Sequence, residues 1–171
     1  MLTLSLFRHA KSSWHHPALD DFDRPLAPRG ERAAPRMAAY LAEQGLAPDL
    51  VLCSAARRTR QTLALALPEW TAEPKIDYAE ALYLASVPTL FGIIRATPAD
   101  VRHLMIIGHN PGIEMFARLV VGSGEAQARR ALAAKFPTAA IAVITWDRES
   151  WADMQPGGGH LKLFATPRQI A

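Results

Sequence analysis

Hydrophobic and polar positions fall into short segments whose period switches repeatedly along the chain. Leu2 to Phe7 alternates and then runs apolar, as a buried strand does, and Arg8 ends it. From Arg8 to Ala27 there is no helical period, and Pro17, Pro25, Asp20, Asp21 and Asp23 mark a long loop. Ordered loops of that length are uncommon and usually carry function. Pro28 to Gln44 reads as a helix, with Pro28 in its first turn, Gly45 at its stop and Met37, Tyr40 and Leu41 as its apolar stripe. Asp49 to Cys53 reads as a strand, and Ser54 as the N-cap of a helix from Ala55 to Leu67 that Pro68 ends. Lys75 to Tyr78 is a short strand. Ser86 to Ala96 is a helix capped by Ser86, and Val101 to Ile107 is a strand. A tight loop, Gly108 to Gly112, leads into a helix that Pro111 opens and that runs to Val121. Gly122-Ser123-Gly124 breaks it, and Glu125 to Ala134 is helical again. Thr138 to Trp146 is a β-branched strand, Gly157-Gly158-Gly159 a turn, and His160 to Phe164 a last strand.

Strands that alternate with helices predict an α/β fold: a three-layer α/β/α sandwich with a mainly parallel central sheet. The last two strands have no helix between them, which predicts an antiparallel edge. The 171 residues fit a single domain spanning 1–171. With 50% hydrophobic and 20% charged residues, disorder over most of the chain is excluded. The lone cysteine, Cys53, excludes an internal disulfide and a cysteine-based zinc site. A net charge of +3 is too small to imply a nucleic-acid footprint. No apolar stretch approaches the roughly 20 residues of a membrane span, and the apolar start reads as a strand rather than a signal peptide. No nucleic-acid partner, no membrane partner and a cytoplasmic location are expected. The glycine-rich nucleotide loops are absent from the sequence.

Ligands of open α/β sheets bind beyond the carboxyl ends of the strands. The predicted strands deliver Arg8-His9, then Ser54 with Arg57 and Arg58, then Glu80, then Gly108-His109-Asn110 to that edge. Each piece has an ordinary reading: a structural histidine, a solvated arginine face, a turn, an exposed loop glutamate. Together they suit phosphoryl transfer. Arginines fix the anionic oxygens, a neutral imidazole attacks phosphorus, and a carboxylic acid protonates the leaving atom. No metal or other cofactor is required. His15 and His16 with Asp20, Asp21 and Asp23 lack the spacing of a rigid metal site, and His103 reads as a packing residue within a strand. Trp14 reads either as a lid or recognition residue or as a cover for the core.

Leu6-Phe7-Arg8-His9-Ala10-Lys11-Ser12 resembles the R-H-G signature of the histidine phosphatase superfamily, the phosphoglycerate-mutase-like proteins. Asp23-Arg24-Pro25-Leu26 followed by Arg29-Gly30 resembles its compact SixA-type phosphohistidine phosphatase branch. Ser54, Arg58, Gln61 and Thr62 resemble the S-P-x-x-R-x-x-Q-T motif, with Ala55 in place of proline. Ile106 to Pro111 resembles the second-histidine strand exit, and Phe136 to Ala142 the penultimate strand. Ala10 stands where the signature has glycine. The resemblance spans nearly the whole chain and keeps the motif order.

By that resemblance His9 is the nucleophile, Arg8, Arg58 and His109 hold the phosphoryl oxygens, and Arg58 rather than Arg57 is the motif arginine. Glu80 stands where the family often carries its acid, and Arg24 reaches the pocket from the long loop. The implied activity is a metal-independent phosphatase, a hydrolase with a phosphohistidine intermediate. Its partner is a phosphorylated protein carrying phosphohistidine or a small phosphorylated metabolite. A sugar-phosphate phosphatase or mutase of the same superfamily, and a non-catalytic phosphate- or phosphoprotein-binding module, are the alternatives. No feature of the sequence assigns an oligomeric state.

Overall fold

The computed structural model describes residues 1–170. Seven strands form one sheet in the order β3-β2-β4-β1-β6-β7-β5. In chain order these are β1 (Leu2–Arg8), β2 (Leu50–Ser54), β3 (Lys75–Ala79), β4 (His103–Gly108), β5 (Val121–Gly124), β6 (Ile141–Trp146) and β7 (Gly159–Ala165). Five helices connect them: α1 (Pro28–Glu43), α2 (Arg57–Ala66), α3 (Val87–Arg95), α4 (Gly112–Val120) and α5 (Ala126–Ala134). β1, β2, β3 and β4 are mutually parallel, and β6 runs against both of its neighbours, β1 and β7. The α/β architecture with a parallel centre and an antiparallel edge is the one the period switches predict.

Alternation along the central strands divides the core in two. Leu2, Leu4 and Leu6 of β1 and Leu104 and Ile106 of β4 face α3, α4 and α5, where they meet Leu90, Ile94, Ile113, Phe116 and Leu132. Phe7, Met105 and Ile107 face the other way, onto Met37 and Leu41 of α1 and Leu63 of α2. A strand buried on both faces needs apolar residues at every position, which is why β4 and β6 read as continuous apolar runs.

The sheet order places the site. The chain leaves β1 toward β2 and β3 through helices on one face, and leaves β4 toward β6 through helices on the other. The neighbours β1 and β4 are therefore where the winding reverses, and a crevice opens beyond their carboxyl ends. Arg8 and Gly108 are paired at that edge, so the residues that follow them face each other across the crevice.

Three local expectations are corrected. Ser54 is the last residue of β2 rather than a helix cap, and α2 begins three residues later behind Ala56. The Gly122-Ser123-Gly124 break is part of a short edge strand that pairs in parallel with β7. A Cβ at Gly122 would collide with the carbonyl oxygen of Gly157, so these glycines permit close strand contact rather than merely ending a helix. The sixth strand begins at Ile141, because Ala139 has a left-handed backbone with φ of 64° and turns the chain before it.

Candidate active site

His9 follows β1, is 6% exposed, and its ring is fixed from behind. Nδ1 donates to the Ala10 carbonyl at 2.8 Å, so the proton of the neutral ring is on Nδ1 and Nε2 keeps its lone pair. Arg58 Nε donates toward that Nε2 at 3.4 Å. Burial first, then the charges of Arg58, Arg8 and Arg24, lower the His9 pKa from 6.5 to about 3, against the opposing bond to Ala10. The Nε2 lone pair is thus unprotonated well below neutral pH.

His109 follows β4, with its ring centroid 5.3 Å from that of His9. Ser54 Oγ accepts the Ala56 N–H and lies 2.8 Å from His109 Nε2. In the tautomer in which Ser54 donates its hydroxyl proton to Nε2, the ring proton of His109 is on Nδ1. That Nδ1 and Arg8 Nε are buried and have no hydrogen-bond partner among the described residues. Both are donors of the kind a phosphoryl oxygen accepts, and buried donors are rarely left unpaired. Burial and then the neighbouring His9 and Arg58 lower His109 to about 3.

Arg58 is 3% exposed, whereas Arg57 beside it is exposed and reaches only the Asp23 carbonyl, at 3.4 Å. Adjacent residues of a helix point about 100° apart, and α2 turns Arg58 inward. The other motif residues of α2 brace the loop. Thr62 Oγ1 accepts the Ala10 N–H at 3.0 Å, and Gln61 accepts the Leu26 N–H at 2.8 Å. Gly30 lets α1 pack onto the backbone of Lys11, since a Cβ there would overlap the Lys11 carbonyl. Arg8 is anchored by donating to the Phe136 carbonyl at 2.9 Å, and Asn110 donates to the same oxygen at 3.0 Å.

The long loop contributes Arg24. It donates to Ser12 Oγ at 2.7 Å and pairs with Asp21 at 3.0 Å. Trp14 is 70% exposed and stacks on it, the guanidinium 3.6 Å from the ring centroid. Trp14 therefore covers an arginine of the site and not the core. His15 and His16 are exposed on the loop, and His103 is buried against Ser5 in the sheet, as a packing residue is.

Arg8, His9, Arg24, Arg58 and His109 line one cavity of about 400 Å³. Glu80 does not. β3 ends at Ala79 and the chain enters a tight turn, Glu80–Leu82, that leaves Glu80 exposed. The residue that turn delivers to the site is Tyr83, whose ring lies edge-on to His109 at 5.3 Å. Tyr83 Oη donates to Asp21 Oδ2, and Asp21 also pairs with Arg58 at 3.0 Å. Asp21 and Tyr83 were not selected by sequence reasoning. Burial alone would raise the Asp21 pKa, but the Tyr83 hydrogen bond and the arginines outweigh it and lower it to about 2. The cavity thus holds a carboxylate that is ionised at neutral pH. Cys53 is buried in β2, and burial pushes its thiol up to about 12, so it is no rival nucleophile. Among the described residues no group of three or more His, Cys, Asp or Glu side chains is placed to hold a metal ion, and no helix is long and apolar enough to cross a membrane.

Residues 4–82 match the family model of the histidine phosphatase superfamily (branch 1). An uncharacterised protein of Mycobacterium tuberculosis is 39% identical over 164 residues, covering 94% of this chain and 99% of the relative. Two solved structures carry the name putative phosphohistidine phosphatase SixA. The one from Agrobacterium tumefaciens is 31% identical with a TM-score of 0.82 and covers 97% of this chain and 98% of its own. The one from Nakamurella multipartitia is 32% identical with a TM-score of 0.84 and covers 97% and 96%. With its own fold, motif order and site geometry in agreement, the chain belongs to the histidine phosphatase superfamily, in its SixA-type branch.

Proposed function

We infer that this chain is a metal-independent phosphatase that transfers a phosphoryl group to His9 and then to water. The observation that carries this reading is the state of His9: its Nδ1–H is held by Ala10, and its Nε2 lone pair is kept unprotonated by burial among arginines. In the first step the Nε2 lone pair forms the N–P bond and the bond from phosphorus to the leaving group breaks, the leaving group taking the electron pair. Arg8, Arg58 and His109 Nδ1–H supply donors to the three phosphoryl oxygens, where a metal ion would otherwise stabilise the charge. The Ala10 carbonyl accepts from Nδ1 and so stabilises the positive charge the ring acquires. In the second step water attacks phosphorus, the N–P bond breaks, and the pair returns to Nε2 as phosphate leaves.

The substrate class rests on the lack of a protonated carboxyl in the cavity. Asp21 is the one carboxyl lining the cavity among the described residues, and with its pKa lowered to about 2 it is ionised at neutral pH. A strongly basic alkoxide would leave without the help that general acid catalysis gives, about 10²–10⁴-fold. Donors with a weakly basic leaving group, phosphohistidine among them, need little such help, since imidazole has a conjugate-acid pKa near 6.5.

The test compares kcat/KM for phosphoramidate and a phosphohistidine peptide with that for an alkyl phosphate, with and without a chelator. Turnover of the N–P donors at the higher rate, unaffected by chelation, is expected. An alkyl phosphate turned over as fast, or a loss restored by one divalent ion, counts against this reading.

A further inference from the structure

A second cavity, of about 610 Å³, adjoins the catalytic one, and Lys11 and Thr138 line both. Six cations line it: Lys11, Arg29, Arg32, Arg36, Lys135 and Arg168; among the described residues no carboxylate does. Separate parts of the chain bring them together. Arg29, Arg32 and Arg36 recur at i, i+3 and i+7 of α1, which puts them on one stripe. Lys11 comes from the loop after His9, Lys135 from the segment before β6, and Arg168 from beyond β7. None of the six forms an ion pair among the described residues.

A concave surface lined by one sign of charge concentrates the opposite sign, and guanidinium forks bind phosphate oxygens two at a time. The volume lies within the range of about 300–1,000 Å³ usual for small-molecule sites. We propose that this cavity is an anion subsite for a second phosphate group of the same substrate, a small molecule with two or more phosphates whose terminal phosphoryl is presented to His9. The inference rests on the phosphatase reading above and narrows its substrate. It also fits a cavity without a protonated carboxyl. When Nε2 takes a terminal phosphoryl, the bond to the bridging oxygen breaks and the shortened phosphate chain leaves with the pair as a weakly basic anion, toward the cations.

The experiment follows phosphoramidate hydrolysis at an ionic strength of about 0.15 M, where longer-range charge effects are screened. It measures inhibition by inorganic tripolyphosphate and by orthophosphate, in the parent and in an Arg32→Ala/Arg36→Ala variant. Both arginines are exposed and lie outside the catalytic cavity. Tripolyphosphate should inhibit the parent at least about tenfold more tightly than orthophosphate, a difference that bidentate guanidinium contacts can supply. In the variant that advantage should collapse, while orthophosphate inhibition and phosphoramidate kcat/KM stay near the parent values. Equal inhibition by the two anions in the parent, or an unchanged advantage in the variant, overturns the subsite. So does a phosphohistidine-bearing protein domain that loses turnover in the variant while tripolyphosphate binding is unaffected, since the cavity would then serve a protein surface. Failure of the parent to hydrolyse phosphoramidate counts against the phosphatase reading instead. Calorimetric titration of tripolyphosphate into parent and variant then still reads the subsite.

Discussion

Lowering the pH from 7 to 5 should leave the His9 ring neutral. An imidazole with the ordinary pKa near 6.5 is only about 3% neutral at pH 5. In His9, burial leads and the charges of Arg58, Arg8 and Arg24 add to it, giving a pKa of about 3. At pH 5 such a ring is ~99% neutral, about thirty times the competent fraction of an ordinary histidine. The assay is an NMR titration of the free enzyme with isotopically labelled histidine, His9 being assigned by its loss in His9→Gln. It is run beside a pH profile of kcat/KM, because the substrate's own ionisation shapes the profile and the direct titration separates the two. A His9 that titrates at 6.5 or above would refute the electrostatic account of the site.

Three further outcomes follow from the same geometry. Burial lowers His9, His103 and His109 to about 3, about 4 and about 3. Between pH 6.5 and those values the unfolded chain binds protons that the folded chain does not, so stability should fall as pH falls, by up to about 1.4 kcal/mol per pH unit for each ring; a urea midpoint unchanged from pH 7 to pH 5 would contradict this. Arg58→Ala should lower kcat by about 10²–10³-fold, as loss of a charge-stabilising donor does, and Arg57→Ala should leave it near the parent value; the reverse order in steady-state kinetics would mean that α2 presents its other face. Glu80→Gln should leave turnover of phosphoramidate and of an alkyl phosphate alike unchanged, because Glu80 lies outside the cavity; a selective loss on the alkyl phosphate would restore it as the acid.

What the sequence revealed of the site follows from which residues are placed by regular structure. Arg8, His9 and His109 stand at the ends of strands whose apolar runs are plain in the chain, and the parallel order sends those ends to one edge. Arg58 is set by the period of a helix that begins at the same edge. Glu80 also follows a strand, but its direction depends on a tight turn that leaves no periodic trace, and that turn brings Tyr83 to the site instead. Asp21 is one of three aspartates in a loop without period. Only the fold, by setting Arg24, Arg58 and Tyr83 around one of them, distinguishes it from Asp20 and Asp23. Edge strand β5 was hidden because its glycines, which read as a helix break, are what close packing against Gly157 and Leu161 requires.

The proposed function stands or falls on covalent phosphorylation of His9 Nε2 during turnover. Rapid quenching of the enzyme with labelled phosphoramidate, followed by peptide mass spectrometry under conditions that preserve N–P bonds, tests it most directly. The account predicts one acid-labile phosphoryl group on His9, formed and discharged at rates consistent with kcat, and none in His9→Ala, which should be inactive. A phosphoryl group on another residue, or near-normal turnover by His9→Ala, would contradict it.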